Sequence, residues 1–282
     1  MNESRLRTES VTVGYGEEPV VRDLDLTIAD GKVTTIVGPN GCGKSTLLRT
    51  MARLLTPSSG TVFLDGEPVQ AVATREVARR MALLPQSPIA PDGLLVRDLV
   101  GRGRHPHQRW FSQWSPEDEA IVESALAMTD TSHLRDRALD QLSGGQRQRA
   151  WIAMTLAQDT ELLLLDEPTT YLDLAHQVEV LDLVTRLNRE RGRTVVMVLH
   201  DLNLAARYSD VIVVLKDGVV VREGDPATVF TPAMLAEVFG LDADVLPDPH
   251  TGLPIVVPTS SAASVARTST TADTELARAL NC

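Results

Sequence analysis

Residues 38–46 read Gly38-Pro39-Asn40-Gly41-Cys42-Gly43-Lys44-Ser45-Thr46, filling every fixed position of the phosphate-loop pattern G-x-x-x-x-G-K-[ST]. A β-branched run at 33–37 precedes them and a helical pattern at 45–55 follows. That order suits an anion. Glycines let successive backbone N–H groups close around a phosphate, and the N-terminus of the following helix adds positive potential. Lys44 is placed to reach β- and γ-phosphates, and the Ser45 hydroxyl to ligate Mg²⁺. Cys42, inside the loop, reads as a small tolerated residue rather than a nucleophile.

Two further clusters carry chemistry. Residues 162–168 are four leucines followed by Asp166, Glu167 and Pro168. A buried strand ending in two carboxylates presents them at the carboxyl edge of a sheet, where α/β proteins bind ligands. Asp166 is suited to hold Mg²⁺ beside Ser45, and Glu167 to polarise a water beside the γ-phosphate. Leu142-Ser143-Gly144-Gly145-Gln146 then puts a capping serine and two glycines ahead of a helical run at 147–158, a second device for approaching an anion.

Taken with the first two clusters, those five residues resemble the signature of ATP-binding-cassette (ABC) ATPases, and the resemblance spans about residues 8–245. It implies ATP and Mg²⁺ as ligands. By this resemblance Tyr15 stacks on adenine, Gln86 senses Mg²⁺ and γ-phosphate, and His200 is the switch histidine that contacts the γ-phosphate. Residues 38–46 hold the phosphates, Ser45, Gln86 and Asp166 serve the metal, and Glu167, His200 and Gln86 are the catalytic set. Two subunits pair head to tail, so that Ser143, Gly144, Gly145 and Gln146 of one close on the Lys44 loop of the other, with Asp173 crossing the interface.

The elements that must position these residues are legible as alternation. Strands are expected at 10–13, 23–28, 33–37, 61–64, 81–84, 161–165, 194–199, 211–215 and 219–222, with Asp-Gly turns at 30–31, 65–66 and 217–218. The near-continuous apolar strands imply a parallel sheet covered on both faces, and the hairpins an added antiparallel portion. The fold class is therefore α/β, resembling a P-loop NTPase core with mixed sheets and an inserted helical subdomain. Helix patterns alone occupy residues 95–158, with Ser115-Pro116-Glu117-Asp118 as a helix start. The expected division is an ATPase domain at 1–245, with its core at 1–94 and 159–245 and its helical subdomain at 95–158. A C-terminal extension at 246–258 and a Ser/Thr/Ala-rich, disordered tail at 259–282 follow, with weak helix at 274–280.

Composition narrows the class. A net charge of −11 over 282 residues disfavours a general nucleic-acid binder. Two cysteines, Cys42 and Cys282, suggest a reducing compartment, and no apolar run exceeds five residues. Permeases are then separate polypeptides, and the chain is expected on the cytoplasmic face of the membrane as a peripheral homodimer. Gly101-Arg102-Gly103-Arg104-His105-Pro106-His107, Tyr171-Leu172-Asp173-Leu174-Ala175-His176-Gln177 and His200-Asp201-Leu202-Asn203-Leu204-Ala205-Ala206-Arg207-Tyr208, with segments 148–154 and 248–254, look like ATPases of ferric-siderophore, haem and cobalamin importers. Ferric siderophore is the preferred cargo, delivered by a substrate-binding protein, with haem or cobalamin as alternatives. A basic surface at 102–110, with Arg104, Trp110 and Phe111, is expected to receive a permease helix. Two rivals stay open: a P-loop kinase, and a soluble cassette ATPase acting on DNA or ribosomes.

Overall fold

The computed structural model describes residues 4–16, 18–108 and 114–261. Its first sheet is antiparallel and four-stranded, in the order β2 (Pro19–Thr27), β1 (Leu6–Gly14), β4 (Ser59–Leu64), β5 (Glu67–Pro68). The second has six strands in the order β10 (Val219–Gly224), β9 (Val211–Lys216), β3 (Val33–Val37), β8 (Thr194–Val198), β7 (Leu162–Asp166), β6 (Met81–Leu84). All its neighbours run parallel except β10, which folds back antiparallel on β9. The mixed α/β class holds.

Period-two alternation sends each strand of the second sheet into two cores. Leu162 and Leu164 of β7, Val196 and Val198 of β8 and Ile36 of β3 face the first sheet. Between the sheets lies α1 (Lys44–Met51), which contributes Leu47, Leu48 and Met51 to that core. On the opposite face, Leu163, Leu165, Val195 and Met197 share a core with three helices that follow β6. These are α5 (Gly144–Ala157), α6 (Leu174–Arg191) and α7 (Leu202–Tyr208). Both faces of the sheet are buried, as the apolar strands require.

Segment 95–158 carries α3 (Val96–Arg102), α4 (Pro116–Met128) and α5, with short 3-10 turns at Ser132–Leu134 and Leu139–Gln141. The Ser115 start forms a full capping box: its hydroxyl accepts from Asp118 N–H while the Asp118 carboxylate accepts from Ser115 N–H. Short α2 (Thr74–Arg80) precedes β6, and both Arg75 and Arg79 donate to Pro106 O at 2.8 Å.

Three differences from the sequence reading have local causes. Strands β1 and β2 start earlier than expected because each carries a bulge, at Ser10 (φ 48°) and Asp23 (φ 42°). The buried positions therefore switch parity, from Leu6 and Thr8 to Val11 and Val13, and from Val21 to Leu24 and Leu26. Helix α1 stops at Met51, and Arg53 at φ 61° turns the chain away. The C-terminal region forms a hairpin of β11 (Leu241–Pro247) and β12 (Pro254–Ser261), so residues 259–261 are strand rather than tail. Residues 262–282, with the helix expected at 274–280, lie outside the described residues, as do Trp110 and Phe111.

Candidate active site

The loop between β3 and α1 is shaped by Gly38 and Gly43. A Cβ on Gly38 would stand 2.1 Å from Leu215 O of β9, so the loop touches the neighbouring strand's backbone. Gly43, at φ 105°, ends the loop in the left-handed region and leaves α1 without a side-chain cap. The first N–H groups of α1 are thus available to an anion. Lys44 is 5% exposed, and its Nζ donates to Gly38 O (2.8 Å) and Pro39 O (2.9 Å) across the loop. Cys42 is buried, and burial pushes its thiol up, away from the thiolate a nucleophile needs.

Asp166 shares the strand parity of Leu162 and Leu164 and so turns toward α1. There its Oδ1 accepts from the Ser45 hydroxyl at 2.7 Å. The carboxylate is fully buried; Oδ2 has no hydrogen-bond partner, and the nearest cation is Arg49 Nη2 at 3.6 Å. Burial pushes this carboxyl up, against the Ser45 hydrogen bond and the Arg49 charge. A buried carboxylate oxygen without a hydrogen, adjoining a hydroxyl, is a hard oxygen donor set that fits a divalent cation such as Mg²⁺.

Glu167 follows in the left-handed region, φ 54°, which swings its side chain out of the strand direction. Its Oε1 lies 2.6 Å from His200 Nε2, and its Oε2 accepts from Thr170 Oγ1 at 3.0 Å. Burial pushes the Glu167 carboxyl up, but hydrogen bonds from His200, Thr170 and Gln86, with the His200 charge, hold it below the ordinary range. Tyr15, Asn40, Lys44, Ser45, Glu167 and His200 line one cleft of about 310 Å³. Tyr15 is 63% exposed at its mouth, with Arg49 Nη1 3.4 Å from its hydroxyl.

Ser143, Gly144, Gly145, Gln146 and Asp173 do not join this cleft. Ser143 and Gln146 form a capping box on α5, and Asp173 caps α6 while its Oδ1 sits 2.7 Å from His176 Nδ1. Hydrogen bonds from the His176 N–H and imidazole hold the Asp173 carboxyl below its usual range. The two segments are neighbours, with Gly145 against Leu172 and His176, and Tyr171 (84%) and Leu174 (68%) stand exposed beside them.

Sequence reasoning missed Arg49 on Asp166 and Thr170 on Glu167; the Thr170 spacing, three residues past a carboxylate that ends a strand, could have suggested it. It misplaced Arg104. This side chain is not on a basic surface: it is 4% exposed, Nε donates to Asp118 Oδ1 at 2.8 Å and Nη1 to Ala157 O at 2.9 Å. Its buried position between α3 and α4 follows from the carboxylate and carbonyl that satisfy it. The apolar opening lies elsewhere, in a groove of about 530 Å³ lined by Leu54, Val77, Leu83, Ile89, Trp151 and Met154, with Ile89 93% exposed.

Residues 21–170 match the family model described as ABC transporter. The chain belongs to the ABC transporter family and is one of its ATPase subunits. It is 52% identical to the iron(3+)-hydroxamate import ATP-binding protein FhuC of Bacillus subtilis, over 89% of this chain and 93% of that one. It is 51% identical to the ferric enterobactin transport ATP-binding protein FepC of Escherichia coli, over 90% and 94%. Among solved structures, an inward-facing metal-chelate-type ABC transporter superposes with a TM-score of 0.78 at 28% identity, covering 92% of this chain and 98% of that one. A dimeric bacterial ABC transporter cassette does so at 0.71 and 31%, covering 78% and 98%. No helix among the described residues is long and apolar enough to cross a membrane.

Proposed function

We propose that this ATPase drives uptake of a ferric siderophore through separate permease subunits, working as a head-to-tail homodimer peripheral to the cytoplasmic face of the membrane. One observation carries the catalytic part: Lys44, the Ser45–Asp166 pair and the Glu167–His200 pair converge on a single cleft. Lys44 and the open N-terminus of α1 bind the β- and γ-phosphates, and Tyr15 at the mouth takes adenine. Ser45 and Asp166, with Gln86, would hold Mg²⁺, which when bound would neutralise charge on the phosphate oxygens. Glu167 accepts hydrogen-bonding from the attacking water, and His200 orients that carboxylate and meets the γ-phosphate. Developing charge is met by groups already in place, which is where most of the rate enhancement comes from.

The exposed face of Ser143, Gly144, Tyr171 and Asp173 is suited to cover the partner's nucleotide, since in this chain it does not line its own cleft. We assign the permease contact to the apolar groove at Leu54, Ile89 and Trp151. Pro85, Pro88 and Ile89 line it, and Gln86, which helps hold the Glu167 carboxyl down, lies in the same short segment, so an occupant of the groove bears on the catalytic carboxylate. In this reading residues 95–158 move as a unit against residues 1–94 and 159–245. The siderophore assignment is supported by relatives named for iron(3+)-hydroxamate and ferric enterobactin import. The test is uptake of labelled ferric siderophores, and growth under iron limitation, in cells lacking this chain. Undiminished iron uptake with lost haem or cobalamin uptake would move the protein to a sister cargo.

A further inference from the structure

Of the Glu167–His200 pair, His200 is the exposed member. Its side chain is 47% exposed, so packing does not fix its aim at Glu167. Its direction depends on the backbone where β8 gives way to α7. That helix has only seven residues, too few to hold a shape or place by itself. Asp201 caps it internally, accepting from Asn203 N–H and Leu204 N–H at 2.8 and 2.9 Å. At the far end, Tyr208 donates to Asp182 Oδ1 of α6 at 2.9 Å.

Near the His200 end, beside the packing of Leu204 and Ala205, side-chain hydrogen bonds to another element come from Asn203. Its Oδ1 accepts from Val256 N–H at 2.7 Å, and its Nδ2 donates to Val256 O at 3.3 Å. A single primary amide thus satisfies both backbone groups of a residue on the outer edge of β12, as the peptide of a neighbouring strand would. The hairpin it joins is itself anchored, because Ala243 and Val256 are each 5% exposed in the same core as Leu204, Ala205 and Ala206.

We propose that Asn203 is a positioning residue for His200, and that the β11–β12 hairpin is the brace against which it sets the start of α7. The proposal rests on the ATPase reading of the Glu167–His200 pair. Loss of the tie leaves the start of α7 free to shift, and a displacement of this kind at a catalytic group lowers turnover while leaving phosphate binding at Lys44 unchanged.

The full-length protein is tested as wild type, Asn203→Leu, Asn203→Asp and Val256→Pro, together with the Asn203→Leu/Val256→Pro double variant. Asn203→Leu keeps the size and removes both hydrogen bonds, Asn203→Asp keeps the acceptor of the shorter one, and Val256→Pro removes the edge N–H from the other side. Asn203→Leu should lower kcat for ATP about tenfold with KM for ATP within about twofold of wild type. Asn203→Asp should recover part of the loss, and the double variant should be no slower than the worse single one. In nucleotide-free protein, amide hydrogen exchange at residues 199–204 should quicken in Asn203→Leu and be restored toward wild type in Asn203→Asp. Unchanged kcat and exchange in Asn203→Leu, or additive losses in the double variant, would overturn the brace. A wild-type protein that does not hydrolyse ATP would instead overturn the ATPase reading, so the two failures are distinct.

Discussion

His200 Nε2 stands 2.6 Å from Glu167 Oε1, while the other carboxylate oxygen is held by Thr170. The imidazole and the carboxylate arrive from different strands, at the ends of β8 and β7, and meet over the phosphate loop. Glu167→Gln keeps the shape of the side chain and its reach to His200, but not the charge that polarises water. ATP binding should persist and hydrolysis should fall by about 10²–10⁴-fold, the range for one general-base contribution. Steady-state turnover beside equilibrium nucleotide binding checks it, and near-normal turnover would assign the work to another residue.

Asp166 tests the metal reading separately. Asp166→Asn removes the buried negative charge yet can still accept from Ser45. Mg²⁺-dependent ATP binding should weaken by at least tenfold, because a buried charge-assisted ligand is lost. Binding measured with and without Mg²⁺ should then converge; a persistent Mg²⁺ effect equal to wild type would remove Asp166 from the metal site.

Sharing of sites between subunits is accessible by mixing. Lys44→Ala and Ser143→Arg chains, each inactive alone, should form heterodimers with one intact and one doubly damaged site. Nucleotide-dependent dimer closure, followed by light scattering, should reappear in the mixture. If every mixture stays as inert as its components, Ser143 does not serve a partner's nucleotide.

The groove gives a coupling test. Leu54→Asp with Ile89→Asp alters two exposed side chains and should leave folding and ATP binding intact. Ferric-siderophore uptake and recovery with membranes should fall, because an apolar partner would now have to bury two charges. Full uptake by the double variant would send the permease contact elsewhere.

The Arg104–Asp118 pair predicts a pH effect. Burial pushes the Asp118 carboxyl up, but hydrogen bonds from Arg104 and Ser115 outweigh it and hold it below its ordinary value. A carboxyl depressed in the folded state contributes stability that is fully present above its unfolded pKa, about 4. That stability is lost as pH falls through the lower, folded value. Asp118→Asn should cost about 3 kcal/mol near neutral pH by stranding the buried Arg104 charge. The wild-type-minus-variant difference in thermal stability should be flat from about pH 7 to 5 and shrink below about pH 4. A difference independent of pH throughout would show that the pair does not titrate with folding.

Much of the site was legible because its parts are contiguous in sequence. The phosphate loop, the carboxylates after four leucines and the Ser143 cap each lie within a few residues and bring their own strand or helix. The rest depended on distance along the chain. Arg49 reaches Asp166 across more than a hundred residues, and no pattern around either predicts it. Arg104, expected on a basic surface that receives a permease helix, is buried because Asp118 of α4 and the Ala157 carbonyl of α5 meet it. The bulges at Ser10 and Asp23 hid the first halves of β1 and β2 by inverting the alternation. The C-terminal hairpin was missed because Pro247, Pro249 and Pro254 surround its turn and its pairing partners carry Ser, Thr and Asp.

The alternation in β7 has a consequence for how this sequence can vary. Leucines 162–165 are divided between two separate cores, and Asp166 inherits its direction from their count alone. Exchanging one branched aliphatic residue for another within the run alters packing and leaves the carboxylate pointing at Ser45. Adding or removing a single leucine would instead turn the acidic end to the helix-covered face, away from the phosphate loop. The length of this strand is therefore under tighter constraint than the identity of any leucine in it, and one-residue insertions should be far rarer here than substitutions.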